Sequence, residues 1–257
     1  MSLRADARAW LRAACLIAGL ALASCARADP DALWNIVHGA CAPNQASTGQ
    51  PAPCVAVDLA GGYAVLKDQR GKTQVLVIPT TKITGIESPD LLAPDTPNFW
   101  RDAWAAKHFV EGYAGAPIPR EDLALAVNSI DGRSQNQLHI HVDCLDAAVR
   151  ATLAAALPDI GPRWAPLKVD LAGHRYEAMR LAGDELTGDP FKLLAAGDAA
   201  ARANMGLETL VVVGVRFADG SPGFVLLADH ADPAAGDIGN GESVMDHSCK
   251  VLAPAGG

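Results

Sequence analysis

The sequence is short of several features that would assign it to a class at once. Of its 257 residues, 21 are Lys or Arg and 29 are Asp or Glu, which gives a formal net charge of −8. A nucleic-acid partner requires a basic surface, so this shortage of positive charge argues against one. Apolar residues make up 50% of the chain, which excludes a disordered tail and provides the core of one large or two small domains.

The N-terminal segment has no apolar run long enough to span a membrane comfortably. Its run, residues 13–23, follows three arginines and is typical of an export signal, which we assign to residues 1–28. The sequence Leu22-Ala23-Ser24-Cys25 resembles a bacterial lipoprotein box, and we favour lipidation of Cys25, which would place the protein at the periplasmic face of the inner membrane, against the membrane surface. Cleavage before Asp29, giving a soluble exported protein, and an uncleaved anchor are the alternatives.

Cysteine is scarce, and removal of the signal leaves Cys41, Cys54, Cys144 and Cys249. An oxidising compartment favours disulfides, for which the sequence permits three pairings. We favour Cys41 with Cys54, because they flank a segment rich in Pro, Asn and Gly, which leaves Cys144 with Cys249. The second bridge would close a loop of about 100 residues and stabilise the fold by about 4 to 5 kcal/mol. Free buried thiols are the alternative.

A pair of histidines lies on an apolar, β-branched segment, residues 138–143, which we predict to be a strand. Side chains two residues apart in a strand share a face, so Gln137, His139 and His141 form a polar row, while Leu138, Ile140 and Val142 face the core. A neutral imidazole is a competent nucleophile, and two neighbours can divide the catalytic work. The row is therefore a candidate active site.

The same spacing allows two other interpretations of the histidine pair. It occurs as a structural pair, or as two ligands of a zinc ion that a third residue such as His174 or His247 completes. The polar loop upstream, residues 128–134, favours catalysis because it brings donors beside the imidazoles. An arginine in such a turn, Arg133, is expected to point into solvent.

Hydrophobic periodicity gives the order of elements in the first part of the chain. A short helix is predicted at 31–39, a hairpin at 63–67 and 74–78, a long functional loop at 80–96, helices at 98–112 and 145–157, and strands at 123–127 and 138–143. Phe99, Trp100 and Trp104 form a helical stripe that we interpret as core, with an acyl-binding groove as the less favoured alternative.

The remaining third of the chain contains more strands and one more helix. Two short strands are predicted within 164–181, a helix at 190–205 and a hairpin at 210–215 and 224–227. The fold class is α+β, an antiparallel sheet with helices packed on one side. The C-terminal part, residues 161–257, completes the same globular unit as the catalytic part, 29–160, either as a degenerate second half or as a plain extension of the sheet.

The chain resembles the histidine-triad superfamily of nucleotide hydrolases and transferases and, within it, the family of bacterial CDP-diacylglycerol pyrophosphatases. The resemblance runs from about residue 31 to 249 and includes the four cysteines that follow the signal. It rests on the sequences at 63–68, 87–89, 96–99, 128–129, 132–136, 138–144 and 246–249. One departure is Gln137, which falls where the superfamily has its first histidine and cannot titrate.

The resemblance implies a substrate and a role for each site residue. CDP-diacylglycerol would be cut at its pyrophosphate to give CMP and phosphatidate through a phosphohistidine on His139, without a metal or other cofactor. His141 would contact the phosphoryl oxygens or transfer the proton of the leaving group. Donors to the phosphates are expected among the polar residues nearest in sequence, Gln137, Gln135 and Asn128, with Lys67 as a cation from the first hairpin. A hydrolase or nucleotidyl transferase of soluble nucleotides, and a non-catalytic CDP-lipid-binding protein, are the alternatives.

Overall fold

The computed structural model describes residues 29–252. The predicted export signal and the predicted lipidation site Cys25 lie outside the described residues. Ten strands of the described part form one antiparallel sheet. They are β1 (Ala56–Asp58), β2 (Tyr63–Lys67), β3 (Val75–Pro79), β4 (Leu123–Val127), β5 (Ile140–Leu145), β6 (Ala165–Pro166), β7 (Glu177–Ala182), β8 (Glu208–Arg216), β9 (Pro222–His230) and β10 (Met245–Asp246).

The order of strands across the sheet is β1-β2-β3-β5-β4-β8-β9-β7-β6, and β10 pairs with the end of β5. The predicted hairpins of both parts are confirmed, and β4 pairs with β8, so the sheet continues from the N-terminal part into the C-terminal part. Strand β5 lies between β3 and β4, where both of its edges are hydrogen-bonded. The histidine strand is therefore an interior strand.

Helices cover both faces of the sheet, so the expectation of helices on one side only is wrong. The helices are α1 (Ala32–Ile36), α2 (Ala42–Thr48), α3 (Phe99–Ala105), α4 (Lys107–Ala114), α5 (Ala147–Ala156), α6 (Pro190–Gly197) and α7 (Ala199–Ala203). The main core joins α3, α4 and α6 to one row of strand residues, which includes Leu125 and Ile140. The opposite row, which includes Ala126, packs on α5.

Helical structure continues beyond Gly39, the predicted end of the first helix. A π-helical turn, Val37–Cys41, joins it to α2, so half of the segment between Cys41 and Cys54 is helical rather than loop. Buried Val37 and Cys41 anchor this turn in a small core with Leu76 and Ile78, and that packing outweighs the cost of about 1 kcal/mol for a glycine within a helix.

Both favoured disulfides are present. Cys41 is bonded to Cys54, and Cys144 to Cys249. The second bond holds the C-terminal segment against β5, next to the pairing of β10 with β5. Among residues 29–252 no helix combines the length and apolar character required to cross a membrane.

Two of the predicted helices are interrupted. The helix predicted at 98–112 is divided into α3 and α4 at Ala106, and the one at 190–205 into α6 and α7 at Asp198, whose side chain caps α7. Phe99 and Trp100 are buried in the main core, on the opposite face of the sheet from the polar row. The stripe is therefore core, and the acyl-groove interpretation is wrong for these residues.

Candidate active site

A cleft of about 650 Å³ opens on the face of the sheet that carries His139 and His141. The alternation predicted for the histidine strand is confirmed, since Ile140 and Val142 belong to the main core. One wall of the cleft is polar and the other apolar. Its lining residues include six of the polar side chains discussed above, Lys67, Asn128, Arg133, Gln135, His139 and His141.

His139 is held in an orientation that suits nucleophilic attack. Its Nδ1 lies 2.7 Å from the backbone carbonyl of Gln137. A carbonyl oxygen only accepts hydrogen bonds, so Nδ1 carries the proton and Nε2 keeps a free lone pair. Burial lowers the pKa of His139, which keeps the ring neutral near pH 7.

His141 carries its proton on the other ring nitrogen. The Nε2 amide nitrogen of Gln74 lies 2.9 Å from Nδ1 of His141, and the same amide nitrogen donates to Asp68. An amide nitrogen can only donate, so Nδ1 of His141 accepts and its Nε2 bears the hydrogen. Within residues 29–252 that Nε2 is buried and has no hydrogen-bond partner. This N–H is an unused donor close to His139, since the centroids of the two imidazole rings are 4.8 Å apart.

Glu242 is a site residue that the sequence did not predict. Its Oε2 lies 3.3 Å from Nδ1 of His141, and its Oε1 accepts from the amide of Asn128 at 2.9 Å. Burial lowers the pKa of His141 to about 3, and the Glu242 carboxylate offsets that fall only partly. The His141 ring is therefore neutral throughout the physiological range.

The polar row ends in a second contact between a histidine and a carboxylate. Asp143, two residues after His141, is fully buried and accepts from Thr73, and its Oδ2 lies 2.9 Å from Nδ1 of His247. The hydrogen bond to Asp143 raises the pKa of His247. Because His247 follows β10, this pair adds an electrostatic contact to the disulfide that ties the C-terminal segment to β5.

The predicted phosphate donors differ in their availability. Asn128 lines the cleft, but its amide is used by Glu242 and by the backbone N–H of Gly241. Gln135 also lines the cleft, and its amide accepts from the N–H of Leu33 and donates to the carbonyl of Asp29.

Gln137 is fully buried, donates to the carbonyls of Pro79 and Thr81, and is not among the lining residues. Lys67 lines the cleft with its ammonium group on the carbonyl of Asp68.

Arg133 is buried rather than pointed into solvent, so that expectation is wrong. Its side chain is 6% exposed and forms two parallel hydrogen bonds to Glu87, at 2.5 and 2.7 Å. The space that it fills exists because residue 85 is glycine, where a Cβ atom would lie 2.1 Å from the guanidinium. Nε of Arg133 has no partner among the described residues. The guanidinium therefore holds a fixed positive charge, paired with Glu87, at the wall of the cleft.

The arrangement of carboxylates does not favour the zinc interpretation. Asp68, His141 and Glu242 could surround one ion, but the Gln74 amide nitrogen contacts all three and occupies that position. His174 lies with Asp229 and Asp237 in a separate group. His247 pairs with Asp143, so neither proposed third ligand forms a group with both cleft histidines in the described part of the chain.

Two comparisons with known proteins identify the family of the chain. The family model described as CDP-diacylglycerol pyrophosphatase matches residues 28–253. A protein of Yersinia pestis named CDP-diacylglycerol pyrophosphatase is similar to this chain, with 42% identity over 225 residues, which is 87% of this chain and 86% of that protein. The family resemblance inferred from the sequence is thus confirmed, and the chain belongs to the CDP-diacylglycerol pyrophosphatase family.

Proposed function

We propose that the protein hydrolyses the pyrophosphate bond of CDP-diacylglycerol to CMP and phosphatidate, with His139 as the nucleophile. The family and the name of the Yersinia pestis relative support the substrate. The observation that carries the mechanism is the His139 ring, whose Nδ1 is fixed 2.7 Å from the Gln137 carbonyl while the ring lines the cleft. This geometry leaves Nε2 free for in-line attack on phosphorus.

The reaction then proceeds in two displacements. Nε2 of His139 attacks the α-phosphorus on the cytidine side, and the bond from that phosphorus to the bridging oxygen breaks, so phosphatidate leaves with the electron pair. The intermediate is a cytidylyl-histidine, in which Nε2 is bonded to phosphorus and the ring, still protonated at Nδ1, is positively charged. A water molecule then attacks the same phosphorus and releases a proton to the solvent. The P–N bond breaks with its electron pair on Nε2, which releases CMP and restores the neutral ring of His139.

His141 stabilises the charge that develops during both displacements. Because Gln74 donates to its Nδ1, the hydrogen on Nε2 is available to a phosphoryl oxygen or to the departing oxygen. Such a preorganised donor contributes about 10²- to 10³-fold to the rate. The buried guanidinium of Arg133 and the ammonium of Lys67 supply positive charge for the diphosphate.

The histidine-triad-like architecture and the membrane location belong to the same proposal. The first is supported by the histidine strand, the preceding polar loop and the hairpin, which the structure places around one cleft. The second is supported by the apolar run 13–23 and the lipoprotein-like sequence at Cys25. A membrane-bound enzyme meets a lipid substrate at high effective concentration. Glu242, from the C-terminal part, belongs to the catalytic machinery as well.

The test compares full-length wild type with His139→Ala in detergent micelles that contain CDP-diacylglycerol. We expect CMP release by the wild type and a loss of at least about a thousandfold in the variant. His108→Ala is the matched control, because His108 is exposed on α4, and it should keep wild-type turnover. Substrate labelled at the α-phosphorus should leave acid-labile label on the wild-type protein after rapid quenching.

Other results would indicate one of the alternative functions. Binding of CDP-diacylglycerol without release of CMP would indicate a lipid-binding protein, and loss of turnover on chelation would indicate a metal enzyme. Equal rates on CDP-diacylglycerol and on CDP-glycerol would indicate a hydrolase of soluble nucleotides.

A further inference from the structure

One wall of the catalytic cleft is apolar, and no step of the proposed reaction uses it. Its side chains come from α1, from the segment after α2 and from the hairpin β2–β3. They are Ala32, Leu33, Ile36, Pro53, Leu66 and Leu76. Leu33, Ile36 and Leu66 are only partly buried, although each also packs against the small core around Val37 and Cys41. The protein therefore keeps a strip of apolar side chains partly exposed along the cleft.

We propose that this apolar wall binds the acylglycerol part of the substrate, on the side of the diphosphate away from the cytidine. The inference rests on the proposed function and adds a lipid subsite to it. The wall is continuous with the polar wall that holds His139, His141 and Arg133, so one ligand can touch both. A ligand with a diphosphate next to two acyl chains has that combination of surfaces.

The way in which α1 is attached supports this assignment. The loop before the histidine strand holds the beginning of α1, because Gln135 accepts from the N–H of Leu33 at 3.0 Å and donates to the carbonyl of Asp29 at 2.9 Å. The N–H of Asn136 also donates to the carbonyl of Pro30. The Cys41–Cys54 disulfide fixes the other end of this helical segment. The apolar wall thus has a fixed position relative to His139, three residues beyond Asn136.

The path of the chain points to the same occupant. Asp29, the first described residue, itself lines the cleft. The sequence before it carries the apolar run 13–23 and Cys25, the site of the proposed lipidation. A bilayer-bound N-terminal segment would bring the bilayer to this rim of the cleft. The cleft volume of about 650 Å³ suits a ligand of nucleotide size, so the ends of the acyl chains would stay in the membrane.

The test measures how strongly the enzyme prefers an acylated substrate. Full-length wild type, Leu33→Ser and Ile36→Ser are assayed with CDP-diacylglycerol in mixed micelles and with CDP-glycerol, which has the same diphosphate but no acyl chains. We expect each variant to lose at least about tenfold more kcat/KM for the acylated substrate than for CDP-glycerol. Ile36→Leu should retain the preference of the wild type.

Val57→Ser is the matched control, because Val57 packs on the same small core but does not line the cleft. It should lower thermal stability as the Leu33 and Ile36 variants do, without a change in the preference. Equal losses on both substrates in the Leu33 and Ile36 variants would overturn the proposal and place the cytidine on this wall. An unchanged preference in those variants would overturn it as well.

Equilibrium binding separates this proposal from the proposed function. If the wild type hydrolyses neither substrate, the catalytic proposal fails, and the lipid subsite is decided by the dissociation constants of the two ligands. Tighter binding of CDP-diacylglycerol than of CDP-glycerol, lost in Leu33→Ser and kept in Val57→Ser, supports the subsite. Equal dissociation constants for the two ligands would overturn it.

Discussion

The amide nitrogen of Gln74 lies 2.9 Å from Nδ1 of His141, and this contact fixes which nitrogen of the imidazole bears the proton. Gln74 does not line the cleft, so it acts through His141 as a positioning residue. In Gln74→Glu the new carboxylate cannot donate, and it adds negative charge beside Asp68 and Glu242. We expect kcat/KM to fall about 10- to 100-fold at pH 7 and its pH profile to change, because the pKa of His141 rises.

The measurement is kcat/KM for CDP-diacylglycerol between pH 5 and 9. Gln50→Glu, at an exposed position, is the control for the added charge and should follow the wild-type profile. A profile of Gln74→Glu that is merely scaled down, with unchanged inflections, would mean that Gln74 has a structural role only.

A second prediction concerns stability in acid. Burial lowers the pKa of His141 in the folded state to about 3, whereas an unfolded histidine titrates near 6.5. Below pH 6.5 His141 therefore binds a proton in the unfolded chain but not in the native state. The free energy of unfolding falls as the pH is lowered, until the pH reaches the folded pKa. At pH 5 His141 alone lowers the free energy of unfolding by about 2 kcal/mol.

Urea unfolding of the wild type and His141→Gln between pH 7 and 4 measures this effect. The comparison of the two proteins is essential, because burial raises the pKa of Asp229 to about 6, and protonation of Asp229 stabilises the native state over part of the same range. We expect the variant to lose about 2 kcal/mol less than the wild type between pH 7 and 5. Parallel curves for the two proteins would contradict the prediction.

A third prediction concerns the guanidinium of Arg133. Lysine keeps the charge but cannot form the two parallel hydrogen bonds to Glu87, and it offers no planar donor to a diphosphate. We expect Arg133→Lys to lower kcat/KM about 10- to 100-fold, mainly through KM. Arg175→Lys, at an exposed arginine, should have no effect. Wild-type kinetics in Arg133→Lys would show that the guanidinium serves folding alone.

A fourth prediction concerns the disulfide between Cys144 and Cys249. The bridge joins residues 105 apart in sequence, so its removal in the Cys144→Ala/Cys249→Ala double variant should lower the free energy of unfolding by about 4 to 5 kcal/mol. Activity should fall before unfolding, because the freed segment carries Glu242 and His247. The measurement is urea unfolding of the double variant and the wild type, with turnover followed at each urea concentration. A loss of activity that coincides with unfolding would contradict the expectation that activity falls first.

The elements that could be predicted are those specified by local patterns. The alternation in 138–143, the hairpin of β2 and β3 and the helix α5 each follow from a few consecutive residues. The disulfide pairing was also predicted, although the reason given for Cys41 and Cys54 was partly wrong, since half of the intervening segment is helix.

The parts of the site that could not be predicted depend on distant partners. Glu242 reaches His141 across 101 positions and follows a glycine-rich stretch that has no periodicity. Gln74 lies 67 positions from His141, and its local pattern indicates only a strand at 74–78. The burial of Arg133 could not be predicted from its own segment. The space for its side chain requires a glycine at position 85, and its buried charge is paired with Glu87. Short-range patterns contain no information about such pairings.

The pairing of β4 with β8 limits how the molecule can be divided. All five residues of β4 are buried, and its edge toward β8 is hydrogen-bonded along four residue pairs, Ala124 to Val127. A truncated fragment that ends near residue 160 would expose this flat, apolar edge to other molecules. It would also lack Glu242, so we expect an insoluble, inactive product rather than a minimal catalytic domain.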